Sequence, residues 1–177
     1  MFIKNLVWEK NMETFINEFE GSLKKFQKAL EKEKKKVAEI EKELEPIKNR
    51  LIELETDLLE IQREIKENET RIRDIRNHLK KIKLKSLEAE TEREMEALRR
   101  DRQRLLKELK ERETKVKDLK EQYKNLVFEE NELLQKEMEL EEKRLVHSER
   151  IRKYIRRIEA AMRSIQREID NYKAINR

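Results

Sequence analysis

The sequence predicts an all-α protein, a long antiparallel coiled-coil hairpin of two helices. Three observations carry that expectation. Apolar residues recur in alternating steps of four and three, turn formers are nearly absent, and one helix-start signature lies close to the middle of the chain. Of the 177 residues 48% are charged, with one Gly, one Pro and no Cys. A fold of many short elements needs turns rich in Gly, Pro, Asn, Asp and Ser, and this composition cannot supply them. High charge alone would equally suit a disordered chain. The regular apolar spacing decides for helix.

Residues 1–10 read as an apolar N-terminal segment, with Phe2, Ile3, Leu6, Val7 and Trp8 crowded together. Lys4 and Asn5 interrupt it and no small-residue cleavage site follows, which argues against a secretory signal. No apolar run approaches the roughly 20 residues of a membrane span. A cytoplasmic location is the expectation.

The first coiled-coil helix is expected over 11–85. Its seam steps from Met12 through Ile16, Phe19, Leu23, Phe26 and Leu30, and onward in the same rhythm to Leu79 and Ile82. Only Glu33 and Asn68 interrupt the apolar rule. A mean step of about 3.5 residues keeps a stripe in phase only between helices that supercoil left-handedly. Pro46 lies inside this helix and should bend it, since proline removes a backbone hydrogen bond.

A reversal is expected at 86–91. Ser86 stands where the seam calls for an apolar residue, and Thr91 is followed by Glu94 at the third position, a capping box. The second coiled-coil helix then covers 92–176. Its seam starts at Met95 and Leu98 and is less pure, with Arg102, Arg112 and Arg144 on it. The apolar residues smear between Val127 and Val146, after which Ile151, Ile155, Ile158, Met162, Ile165, Ile169 and Tyr172 read as a new run. That pattern predicts a one-residue phase slip.

A reversal centred on 86–91 fixes a pairing. Ile82 would face Met95, Leu79 would face Leu98, and Glu33 would face Arg144, two opposite charges on the seam. A buried Glu asks for such a partner. Ile65 against Arg112 and Ile75 against Arg102 fit less well. The alternative architecture is a long parallel coiled-coil dimer, which would keep 86–91 helical.

Enzymatic chemistry is not expected. Without Cys there is no thiol nucleophile, disulfide or thiolate metal site, and no Gly-rich loop cradles a phosphate. Glu pairs at helical spacing, such as Glu60 with Glu64, lack a pocket to shift their pKa values. His78 and His147 read as structural or solvated rather than as ligands. The expected catalytic, cofactor and metal sets are therefore empty, and no small-molecule substrate or membrane partner is expected.

Partner-binding candidates fall in three groups. The apolar N-terminal side chains Phe2, Ile3, Leu6 and Trp8, with Phe15, read as a docking or dimer surface. From Lys143 to Arg177 eleven Lys or Arg face four acids, a net +7, with Arg152, Lys153, Arg156 and Arg157 at its centre. Lys80, Lys81 and Lys83 form a second basic cluster near the reversal. Basic helical stripes suit an acidic protein, or nucleic acid held through its phosphates. Glu33, Arg144, Pro46, Thr91 and Glu94 are the candidate structural residues.

The stretch from Ile82 to Glu113, IKLKSLEAETEREMEALRRDRQRLLKELKERE, resembles the hairpin of a bacterial coiled-coil family that carries a C4 zinc ribbon. In that family a Lys-containing turn precedes a Glu-rich start to the second helix, matched here by Glu94, Glu96, Ala97 and Leu98. The resemblance implies a non-enzymatic scaffold or adaptor in flagellar or type III secretion assembly, or association with nucleic acid. This sequence has no Cys, so the family's zinc role does not carry over. The whole pattern also resembles the coiled-coil arms of chromosome-organising and DNA-repair ATPases, though it holds no nucleotide-binding motif.

Overall fold

A computed structural model describes residues 2–175, with side chains described from Glu9 onward. Two α-helices pack against each other as a hairpin, α1 over Phe2–Glu88 and α2 over Glu92–Ile175. The parallel dimer through one unbroken helix is thereby excluded. The chain divides into two compact units, one of Met1–Ile47 with Lys136–Arg177, the other of Lys48–Gln135. Pro46 sits inside α1.

The connection is three residues, Ala89–Thr91, and α1 runs on past the expected reversal start at Ser86. Ser86 stays helical because its hydroxyl donates to the Ile82 carbonyl at 2.8 Å, which satisfies it without ending the helix. Thr91 Oγ1 accepts from the Glu94 N–H at 3.3 Å, and the Glu94 carboxylate accepts from the Glu90 N–H at 3.4 Å. The Thr91 carbonyl takes the first helical bond of α2, from the Met95 N–H at 3.2 Å. The capping box is therefore formed, with its return arm reaching one residue earlier than in the usual motif. No described residue has positive φ, so the connection needs no glycine. Thr91→Ala should destabilise the hairpin by about 1 kcal/mol in a urea melt, the usual worth of an N-cap hydroxyl; an unchanged midpoint would remove Thr91 from the list of structural residues.

The later reversal moves the register. Within the 48–135 unit, Ile75, Ile82 and Leu105 form the buried cluster, with Leu79, Leu98 and Leu109 packed on it. Each seam residue of α1 therefore meets α2 about three residues farther along than a turn centred between 86 and 91 would place it. The same shift sets Asn68 beside Arg112, joined at 2.9 Å, and removes the poor match of Ile65 with Arg112.

The seam of α1 faces inward at every step from Met12 to Ser86, and Leu44, Leu54 and Ile75 are its most enclosed side chains. The expected phase slip in α2 is absent. Inward positions continue in the original rhythm through Arg144, His147, Ile151, Tyr154, Ile158, Ala161, Ile165, Glu168 and Tyr172, all at least half-buried. Ile155 and Met162 point outward instead, at 38% and 56% exposure. The apparent slip came from reading apolar residues as the seam, whereas the inward positions here accept a His, a Tyr, an Ala and a Glu.

Candidate interaction surfaces

Among the described residues two polar side chains, Glu33 and Asn68, are buried in the apolar seam, one in each unit. In the unit of 1–47 with 136–177, Glu33 is buried, and its carboxylate meets His147 Nδ1 at 2.5 Å and the Arg150 guanidinium at 3.6 Å. Burial pushes the Glu33 carboxyl up. The His147 hydrogen bond and the charges of His147, Lys36 and Arg150 outweigh that and hold it below the ordinary carboxylate range. The expected Glu33–Arg144 pair is not made. Arg144 lies instead against Glu141 at 2.8 Å and Glu41 at 3.9 Å, because the shifted register brings His147 to Glu33.

In the 48–135 unit, buried Asn68 accepts from Arg112 through its side-chain carbonyl and donates its amide to the Glu64 carbonyl at 2.8 Å. Arg112 also lies 3.6 Å from Glu108, which Arg71 grips with two hydrogen bonds of 2.9 and 3.0 Å. The Arg71 hydrogen bond holds the Glu108 carboxyl below its ordinary value, and Glu108 raises Arg71 in return. His147, read from the sequence as structural or solvated, is thus structural, and Arg112, already placed on the seam, meets Asn68 rather than Ile65; the place of Arg150 beside Glu33 was not foreseen.

The flanks of the 48–135 unit are laced by ion pairs. On one flank Arg50 grips Glu129 through two hydrogen bonds and Arg71 holds Glu108. The Arg50 bond lowers the Glu129 carboxyl. On the other flank Lys120 meets Glu69 at 3.2 Å and Arg76 meets Glu113 at 3.0 Å. Higher on that second flank, Arg76, Leu79, Lys80, Ile82, Lys83, Ser86, Arg102 and Leu106 line one groove. Arg102 occupies a seam position yet is exposed, and it lines this groove. Lys81 does not join Lys80 and Lys83. It lines a separate recess with Asp74, His78 and Asp101.

The other candidates separate as follows. Arg152, Lys153, Arg156 and Arg157 are all exposed near the end of α2, and none lies within ion-pair distance of an acid among the described residues. Phe15 is 36% exposed, and its ring lies over that of Phe19 with centroids 6.4 Å apart. The side chains of Phe2, Ile3, Leu6 and Trp8 lie outside the described residues. No helix among those described is long and apolar enough to cross a membrane. No family model, curated protein or solved structure matches the chain.

Proposed function

We propose that this hairpin is a non-enzymatic coiled-coil scaffold or adaptor that binds protein partners, its own second copy included. Flagellar or type III secretion assembly is the setting suggested by the resemblance of Ile82–Glu113. The observation that carries the reading is the set of large apolar side chains left outside the seam. Ile52, Leu59 and Phe128 are each about three-fifths exposed, and so are Met138, Leu145 and Met162. A seam that already buries its own stripe has no internal use for them, and exposed apolar groups of this size favour protein contacts.

A second reading, a nucleic-acid-associated helical hairpin, is favoured by the exposed Arg152, Lys153, Arg156 and Arg157, which have no acid within ion-pair distance among the described residues. The two separate by salt. Duplex DNA titrated into the full chain at about 50 mM and about 200 mM salt should bind weakly or not at all on the scaffold reading, while a phosphate-driven binder would bind tightly at the lower salt and lose affinity steeply at the higher. Tight, steeply salt-dependent binding that is abolished by Arg152→Glu with Arg156→Glu would favour nucleic acid and overturn the scaffold.

A further inference from the structure

The second flank of the 48–135 unit carries a ladder with a seven-residue rung spacing on both helices: Glu69, Arg76 and Lys83 on α1, and Lys120, Glu113 and Leu106 on α2. The first two rungs are closed, Glu69 by Lys120 and Arg76 by Glu113. At the third rung the sequence offers Lys83 a leucine where the ladder calls for an acid. Leu106 is 43% exposed there.

The groove around this open rung holds four cations and no carboxylate, in a chain with 40 Asp or Glu. Of the four, Arg76 alone has an acid within ion-pair distance among the described residues. The floor is aliphatic, made of Leu79, Ile82 and Leu106. A solvated helix face intersperses its charges with carboxylates, as the lower rungs do. Here charge of one sign surrounds the exposed Leu106, with the partly covered Leu79 beside it and buried Ile82 beneath.

From this we infer that the groove between Arg76 and Lys83 on α1 and Arg102 and Leu106 on α2 is the docking site for an acidic amphipathic helix of a partner protein. The inference rests on the scaffold reading and gives that partner its chemistry. Arg76 and Lys83 stand two turns apart, about 10 Å at 1.5 Å per residue, so two to three turns of a partner helix fill the groove. Apolar residues at i and i+3 or i+4 would cover Leu79 and Leu106, and Asp or Glu beside them would meet Lys80, Lys83 and Arg102. Charge complementarity selects the occupant. A duplex nucleic acid would satisfy the cations but leave the leucines wet, and the groove holds no aromatic ring on which a base could stack.

The test uses the full chain and a fluorescent 16-residue helical peptide with Leu at i, i+3, i+7, i+10 and i+14 and Glu elsewhere on its flanks. Two control peptides replace every Leu with Ser or every Glu with Gln. The acidic apolar peptide should bind, and each control should bind at least about tenfold more weakly, since surface charge pairs and apolar contacts each supply part of the affinity. Lys80→Glu with Lys83→Glu should abolish binding, Leu106→Gln should weaken it by about tenfold, and Arg152→Glu with Lys153→Glu should leave it unchanged. All the substituted side chains are exposed, so helicity by circular dichroism should be retained. Equal binding of the Leu-to-Ser peptide, or binding indifferent to the groove variants, would overturn the site. A protein partner still captured by the Lys80→Glu/Lys83→Glu chain would overturn the groove and leave the scaffold reading standing. Binding of duplex DNA alone, lost with those same substitutions, would overturn both.

Discussion

His147→Leu is expected to destabilise the hairpin by about 2 kcal/mol at neutral pH, read from urea unfolding. The substitution strips the buried Glu33 carboxylate of its closest partner. Breaking a buried pair commonly costs about 3–5 kcal/mol, and the estimate here is lower because Arg150 remains nearby and water lies close to any two-helix seam. The pH dependence follows from the direction of the Glu33 shift. Its carboxyl is held below the ordinary range in the folded state, so its contribution is present above that range and is lost as pH falls through the depressed folded value. The gap between parent and variant should therefore narrow on going from pH ~7 to pH ~3. An equal gap at both would mean that Glu33 does not carry the effect. Replacing both Glu33 and His147 with Leu should cost little or add stability, because a buried polar pair is often matched by apolar packing.

Ile75→Ala is expected to lower stability by roughly 3 kcal/mol, within the 2–5 kcal/mol range for large-to-small changes at enclosed positions. Ile75 is fully enclosed, and it touches the Ile82 and Leu105 cluster that sets the packing of the 48–135 unit. A hairpin seam has neighbours on one side only, so part of the cavity can collapse, which keeps the figure below the top of that range. Leu87→Ala serves as the control. Leu87 is 80% exposed, and its loss should change the urea midpoint little. A cost at Leu87 equal to that at Ile75 would mean that Leu87 is buried by something other than this chain's own seam.

The two helices, the reversal and the cap were legible because each follows from local rules. The seam of α1 is a period, and Thr91 with Glu94 is a local hydrogen-bonding signature. The register was not legible from apolar residues. A seam slipped by half a heptad still sets Leu and Ile against Leu and Ile, and the energies of those alternatives differ little. The polar intruders carry the information. Glu33 and Asn68 stand 35 positions apart on α1, as do Arg112 and His147 on α2. Matching those two intervals would have paired Glu33 with His147 and Asn68 with Arg112. The attraction of Glu33 for Arg144 as an opposite charge obscured it. The groove was partly legible, since Lys80 and Lys83 drew notice. Arg102 and Leu106 were missing, because their alignment with Lys83 depends on the register, and Lys81 was grouped with them by sequence proximity alone.

The short connection at Ala89–Thr91 has a kinetic consequence. Arg76 and Glu113 are 37 residues apart along the chain, whereas Glu33 and His147 are 114 apart. Closing the second pair directly from an open chain sacrifices more chain entropy than closing the first. Once the pairs nearest the turn are made, each further layer encloses only a few additional residues. Folding should therefore start at the turn and travel outward layer by layer. Damage near the turn would slow the search for the native state, and damage near the chain termini would chiefly hasten its loss.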